Sequence, residues 1–266
     1  GDAVIDILQL TNLSTAYMQS FFLTLTRVGA ILMTSPAFGS RNVPSIAKIA
    51  LAVLLTMILL PLNAAGVSNT FEDVFSLGLA LGRELILGAM VGFASSLMFT
   101  AMQMAAHLIG SQMGLAFANM LDPLNQNQIS TLDQMYSMLA MLVFFAMNGH
   151  HLLIMAIQRT FEIVPLNTFV FSSAMADGII ALTSQLLVIS TKIALPILAA
   201  LLLADIALGV IARVVPQLNV FFVGLPLKIG LGLATIALAL PVTLGMVEPL
   251  LRTTMNDIIT LLKAVG

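Results

Sequence analysis

Three stretches of this chain, Val74 to Ile109, Gly178 to Ala212 and Val220 to Val247, are almost uninterrupted apolar sequence. Each exceeds the roughly 20 residues a helix needs to cross a bilayer. Lipid offers no partner to backbone N–H and C=O groups, so such stretches must close their hydrogen bonds internally, as helices. Leu13 to Phe38, Ile46 to Leu60 (short for a span) and Leu132 to Ile157 raise the expected number to about six. Polar joints separate them: Gly39 to Pro44, a loop from Asn63 to Asp73 after Pro61, Arg159 to Asp177, and Arg213 to Asn219. The amphipathic tail from Glu248 follows the last run. The expected fold is all-α, of the integral-membrane type, with about six long, partly broken helices arranged as hairpins in a single domain, residues 1–266. Charged residues make up only 8% of the chain, against about a quarter in soluble domains, which excludes a soluble fold.

Composition also narrows the chemistry. Net charge is −2, with no run of Lys or Arg, a poor match to nucleic acid. Without cysteine there is no disulfide, thiolate metal site or cysteine nucleophile. His150 and His151 diverge by about 100° on a helix and have no acidic neighbour in sequence, so they suit a polar cap better than a metal. Neither a cofactor nor a metal is expected, and no nucleophile–base motif marks an enzyme. Gly1 to Leu10 lack the basic start of a cleavable signal. Trp is absent and Tyr occurs twice, so the interfacial aromatic belt is weak.

Arg27, Arg83, Glu84, Lys192 and Asp205 interrupt the apolar runs, where facing lipid would cost several kcal/mol each. They must pair within the chain, face a cavity or meet another subunit. Asp205 and Arg213 are about 12 Å apart along one helix and do not pair directly. The joints holding Arg41, and Arg213 with Gln217 and Asn219, are expected to contact other chains, since the neighbouring runs offer no local counter-charge.

Gln103 to Asn125 differs from an ordinary span. At helical spacing Met98, Met102, Met113 and Met120 form one stripe, with Gln103, His107, Ser111, Gly114 and Ala118 beside it. Flexible thioethers can seal a changing shape, but the same spacing describes a plain core face. Gly110 and Gly114 are expected to let the backbone leave the helix, and Asp122-Pro123 to restart one, as N-cap and first helical residue. Two further glycine pairs, Gly78/Gly82 and Gly88/Gly92, predict close helix packing.

Phe22-Leu-Thr-Leu-Thr-Arg-Val-Gly-Ala30, Pro36-Ala-Phe-Gly-Ser-Arg-Asn-Val-Pro44, Ile109-Gly-Ser-Gln-Met-Gly114, Asn148-Gly-His-His151 and Arg213-Val-Val-Pro-Gln-Leu-Asn-Val-Phe221 resemble, in order, the FliR family of flagellar export proteins. The resemblance implies a non-catalytic subunit built to pack in a helical hetero-oligomer with several copies of FliP-like and FliQ-like subunits and beside a FlhB-like one. Such a gate passes unfolded flagellar substrates through the bacterial inner membrane, with its core in the basal body raised towards the periplasm. It also implies a channel plug near 110–122, which here takes in Gly110, Gln112, Met113, Gly114, Leu115, Phe117 and Met120. Arg27, Arg41, Arg83, Glu84, Asp205, Arg213, Gln217 and Asn219 would then serve intersubunit contacts. The alternative is a self-contained small-solute transporter with broken helices, which usually shows an inverted repeat. None is visible in this sequence.

Overall fold

A computed structural model describes residues 2–40, 43–63, 71, 73–115, 131–217 and 219–263. Every regular element among them is helical: α1 Asp2–Thr34, α2 Pro36–Gly39, α3 Ser45–Asn63, α4 Val74–Met113, α5 Thr131–Ala146, α6 Gly149–Ile163, α7 Ser173–Val214 and α8 Val220–Lys263. Three of them, α4, α7 and α8, are long and apolar enough to cross a membrane. At 1.5 Å per residue their 40, 42 and 44 residues reach about 60 Å or more, twice the hydrocarbon thickness.

Several expected boundaries move. The run Leu132 to Ile157 is two helices, because Asn148 adopts the left-handed conformation (φ 56°, ψ 32°) before α6. Asn is among the few non-glycine residues that tolerate it. Pro61 does not end α3, which continues to Asn63. The last apolar run and the tail form one helix, α8, which passes through Pro226, Pro241 and Pro249.

The chain divides into two compact units. The first comprises Gly1–Ser96, Asn148–Leu182 and Thr253–Gly266, and the second Leu97–Met147 and Thr183–Arg252. In the first unit α1 packs on α3 and lies very close to α4. A Cβ at Gly88 would sit 2.6 Å from the Arg27 carbonyl oxygen, and one at Gly92 would sit 2.8 Å from that of Ile31. Backbone approach of this kind is what small residues permit. Gly78 and Gly82 have nothing within 4 Å of where a Cβ would stand, so among the described residues only one of the two expected glycine pairs is packed.

The second unit is built on the C-terminal part of α4. Met98, Met102 and Met113 are buried there, and Phe99 meets Phe144 of α5 edge to face at 5.4 Å. These three methionines of the stripe are therefore core, and Met120 lies outside the described residues. Beside them Gln103, His107 and Ser111 are exposed. Within the same unit α7 and α8 form a hairpin, and a Cβ on Gly224 would come 3.0 Å from Leu208.

Candidate functional site

The end of α4 is fixed in backbone and side chain. Gly114 has φ +85°, its N–H donates to Ser111 O at 3.1 Å, and the Leu115 N–H donates to Gly110 O at 3.0 Å. These two bonds are the Schellman pattern that stops a helix at a left-handed glycine. Gly110 stays helical, so the expected departure from the helix occurs at Gly114 alone.

Three successive residues then seat this end on the α7–α8 hairpin. The Gln112 side-chain amide donates to Asp205 Oδ2 at 2.9 Å. Met113 is fully enclosed, with its Cγ and Sδ 2.7 Å from where a Gly232 Cβ would be. Gly114 lies against Leu225. Met113, expected in the channel plug, packs inside this chain, where a glycine leaves room for its thioether. Beside these contacts is a cleft of about 380 Å³ walled by Met113, Gly114, Asp205, Leu208, Leu225 and Lys228 among others.

The charges divide into those the fold neutralises and those it leaves outside. Asp205 pairs with Lys228, Nζ to Oδ1 at 2.8 Å. In the first unit Arg27 and Glu84 form a salt bridge with no exposure of either side chain. Arg27 Nη1 also donates to Val164 O at 2.7 Å and to Thr160 O at 3.1 Å, the latter a carbonyl that also accepts the Val164 N–H, at the end of α6. Such a position favours a cation. Its guanidinium lies 4.4 Å from the Phe161 ring centroid, adding a cation–π contact. Glu84 Oε1 accepts the Asn167 N–H at 2.9 Å, from a turn residue at φ 63°. A buried ion pair is tolerable when its remaining donors and acceptors are filled in this way. Arg27, Glu84 and Asp205 each have a partner of opposite charge within the chain.

Arg83, Arg213, Gln217 and Asn219 are exposed, and no counter-charge for Arg83 or Arg213 lies among the described residues. Arg41, Phe117, Met120, Asp122 and Pro123 lie outside the described residues. At the start of α5, Asp133 faces His107 at 3.6 Å, and Gln103 donates to Ser137 at 3.3 Å. The sequence reading missed Lys228, although a signal exists. Asp205 stands eleven residues before Pro216 and Lys228 eleven after Gln217, so a hairpin turning at that joint brings them level. It also missed the carbonyls of Thr160 and Val164, which carry no sequence signature.

Long apolar helices, neutralised interior charge and a glycine-stopped helix seated on a hairpin define a multi-helix integral membrane protein. The chain belongs to the bacterial export proteins, family 1, whose sequence profile matches residues 18–254. It is similar to flagellar biosynthetic protein FliR of Escherichia coli (strain K12), 32% identical over 244 residues and covering 91% of this chain and 92% of the relative. It is likewise similar to FliR of Bacillus subtilis (strain 168), 32% identical over 250 residues, with 93% and 96% covered. Yop proteins translocation protein T of Yersinia pestis is 32% identical over 158 residues, with 59% and 60% covered.

Proposed function

We propose that this chain is a non-catalytic, channel-forming subunit of the flagellar type III protein export gate. It assembles with several FliP-like and FliQ-like subunits, meets a FlhB-like subunit, and passes unfolded flagellar proteins across the bacterial inner membrane. The observation that carries this reading is the match to an export family along residues 18–254, with FliR relatives covered almost end to end.

The exposed surface supports assembly. Large apolar side chains on α7 are exposed from Ile180 (67%) to Val214 (72%), about 50 Å along the helix. A hydrocarbon layer of about 30 Å covers only part of that length, so the rest requires protein neighbours. Arg83, Arg213, Gln217 and Asn219 supply polar contacts on the same kind of surface. A transporter acting alone would leave this apolar length uncovered.

Closure of the resting channel is assigned to the segment that leaves α4 at Gly114 and contains Leu115, Phe117 and Met120, with Asp122-Pro123 restarting the helix. Gly110, Gln112 and Met113 anchor it. The Schellman stop at Gly114 supports this reading, because it fixes where the helix ends and the segment begins. Deleting residues 116–120 in the assembled complex tests it. The expected result is an intact complex that makes the membrane permeable to small solutes; an intact complex that stays tight sinks the plug assignment.

A further inference from the structure

We propose that the α7–α8 hairpin between Lys192 and Val242 is a lipid-facing surface, with the hydrocarbon layer ending at the level of Lys192 and that side chain among the headgroup phosphates. Thr183 to Thr191 then stand outside the hydrocarbon. This goes beyond the export reading and does not depend on it.

Two contacts fix the register of the hairpin. Lys228 Nζ lies 2.8 Å from Asp205 Oδ1, and a Cβ on Gly224 would come 3.0 Å from Leu208. In an antiparallel pair these contacts put Lys192 level with Pro241, each about 22 residues from the joint 215–219. At 1.5 Å per residue that distance is about 33 Å, the thickness of a hydrocarbon layer.

Both helices change character at this level. On the far side of it Thr183, Ser184, Gln185, Thr191 and Lys192 are exposed, with Leu187 and Val188 between them. From 193 to 212 the one charged residue is Asp205, and the exposed side chains include Leu195, Leu202, Leu203, Ile206 and Val210. On α8, residues 220–242 hold one charged residue, Lys228, and exposed large apolar side chains run from Phe221 to Val242. Beyond Val242 none of the described side chains of α8 is of that kind, and Glu248 and Arg252 enter the sequence. The two charges inside the band, Asp205 and Lys228, neutralise each other.

A docked protein helix covers one side of its neighbour. Here the exposed apolar positions span about 180° of α7 and about 300° of α8 at 100° per residue, so they form a band round the hairpin. A band of one hydrocarbon thickness fits a lipid layer. Its far edge is the polar joint, where Arg213, Gln217 and Asn219 are exposed. Lys192 marks the near edge and has no counter-charge among the described residues. A lysine there carries its ammonium on an apolar stem into the headgroup layer, where acidic phospholipids supply the opposite charge.

The chain has no cysteine, so single cysteines carry a fluorophore without background. Gln185→Cys, Thr191→Cys, Leu203→Cys and Leu233→Cys are labelled in the protein with whatever subunits purify with it. Each is reconstituted into vesicles of phosphatidylethanolamine and phosphatidylglycerol containing lipids spin-labelled deep in the acyl chain or at the headgroup. The Leu203 and Leu233 labels should be quenched several-fold more by the deep lipid, and the Thr191 label more by the headgroup lipid. The Gln185 label should be quenched little by either. Labels at 203 and 233 that neither lipid quenches would mean that protein covers the band. Equal deep quenching at 185 and 203 would mean that no edge lies at Lys192. Either result overturns the proposal. Adding Lys192→Leu to the Thr191→Cys protein should shift quenching of that label towards the deep lipid; an unchanged ratio overturns the headgroup contact.

Discussion

Arg27 of α1 and Glu84 of α4 meet side chain to side chain with no solvent exposure of either. Together they also hold the end of α6 and the turn at Asn167. Removing Arg27 leaves the Glu84 charge buried and takes a donor from the Val164 carbonyl, so Arg27→Ala should cost about 3–5 kcal/mol. Glu84→Gln keeps shape and one acceptor and should cost less, about 1–3 kcal/mol. Arg27→Lys keeps charge but cannot serve Glu84 and the α6 carbonyls together, and should fall between the two. Thermal midpoints of the detergent-solubilised complex give the order directly.

The two glycine pairs on α4 should respond oppositely to added methyl groups. Gly88→Ala drives a Cβ onto the Arg27 carbonyl and the Ala30 side chain, forcing α1 and α4 apart at a cost of about 1–3 kcal/mol. Gly78→Ala and Gly82→Ala meet nothing among the described residues and should gain about 0.5–1 kcal/mol in helix stability. Parallel melting curves check the contrast. If Gly78→Ala instead lowers the yield of the hetero-complex, that face is packed by a partner.

Gly114→Ala places a Cβ on a backbone at φ +85° and against Leu225. The left-handed conformation alone costs about 1–2 kcal/mol for an L residue. The expected outcome is a loosened end of α4, seen as faster proteolysis or amide exchange after Met113 with the rest of the protection pattern unchanged.

Arg213 is exposed beside the joint. Replacing it with Ala should weaken association with FliP-like and FliQ-like partners roughly ten-fold through loss of a charge-assisted contact. Quantified co-purification measures this. Full yield of complex with Arg213→Ala removes the residue from the interface.

Much of this architecture was legible from the apolar runs, because in lipid the backbone has few choices. Asn148 was harder to see. A single left-handed residue breaks an apolar run without changing its composition. Gly78/Gly82 and Gly88/Gly92 read alike in sequence, since spacing identifies a face that can pack but not its neighbour. For the same reason the methionine stripe suited either a seal or a core, and only the position of Gly232 opposite Met113 decides where that thioether goes. Arg27 and Glu84 were recognisable as charges needing partners, while the partners include main-chain carbonyls that any residue carries. Asp205 with Lys228 was readable from their equal distance to the joint, once that joint is taken as a hairpin turn.

The central claim is that this chain works as one subunit of a hetero-oligomeric export channel. The most direct measurement is the mass and composition of the complex recovered when a tagged copy is solubilised in mild detergent from cells expressing the candidate partners. A single large particle holding FliP-like and FliQ-like subunits in several copies is predicted. A monomer or homodimer of this chain, free of other subunits and moving small solutes after reconstitution alone, would contradict the account.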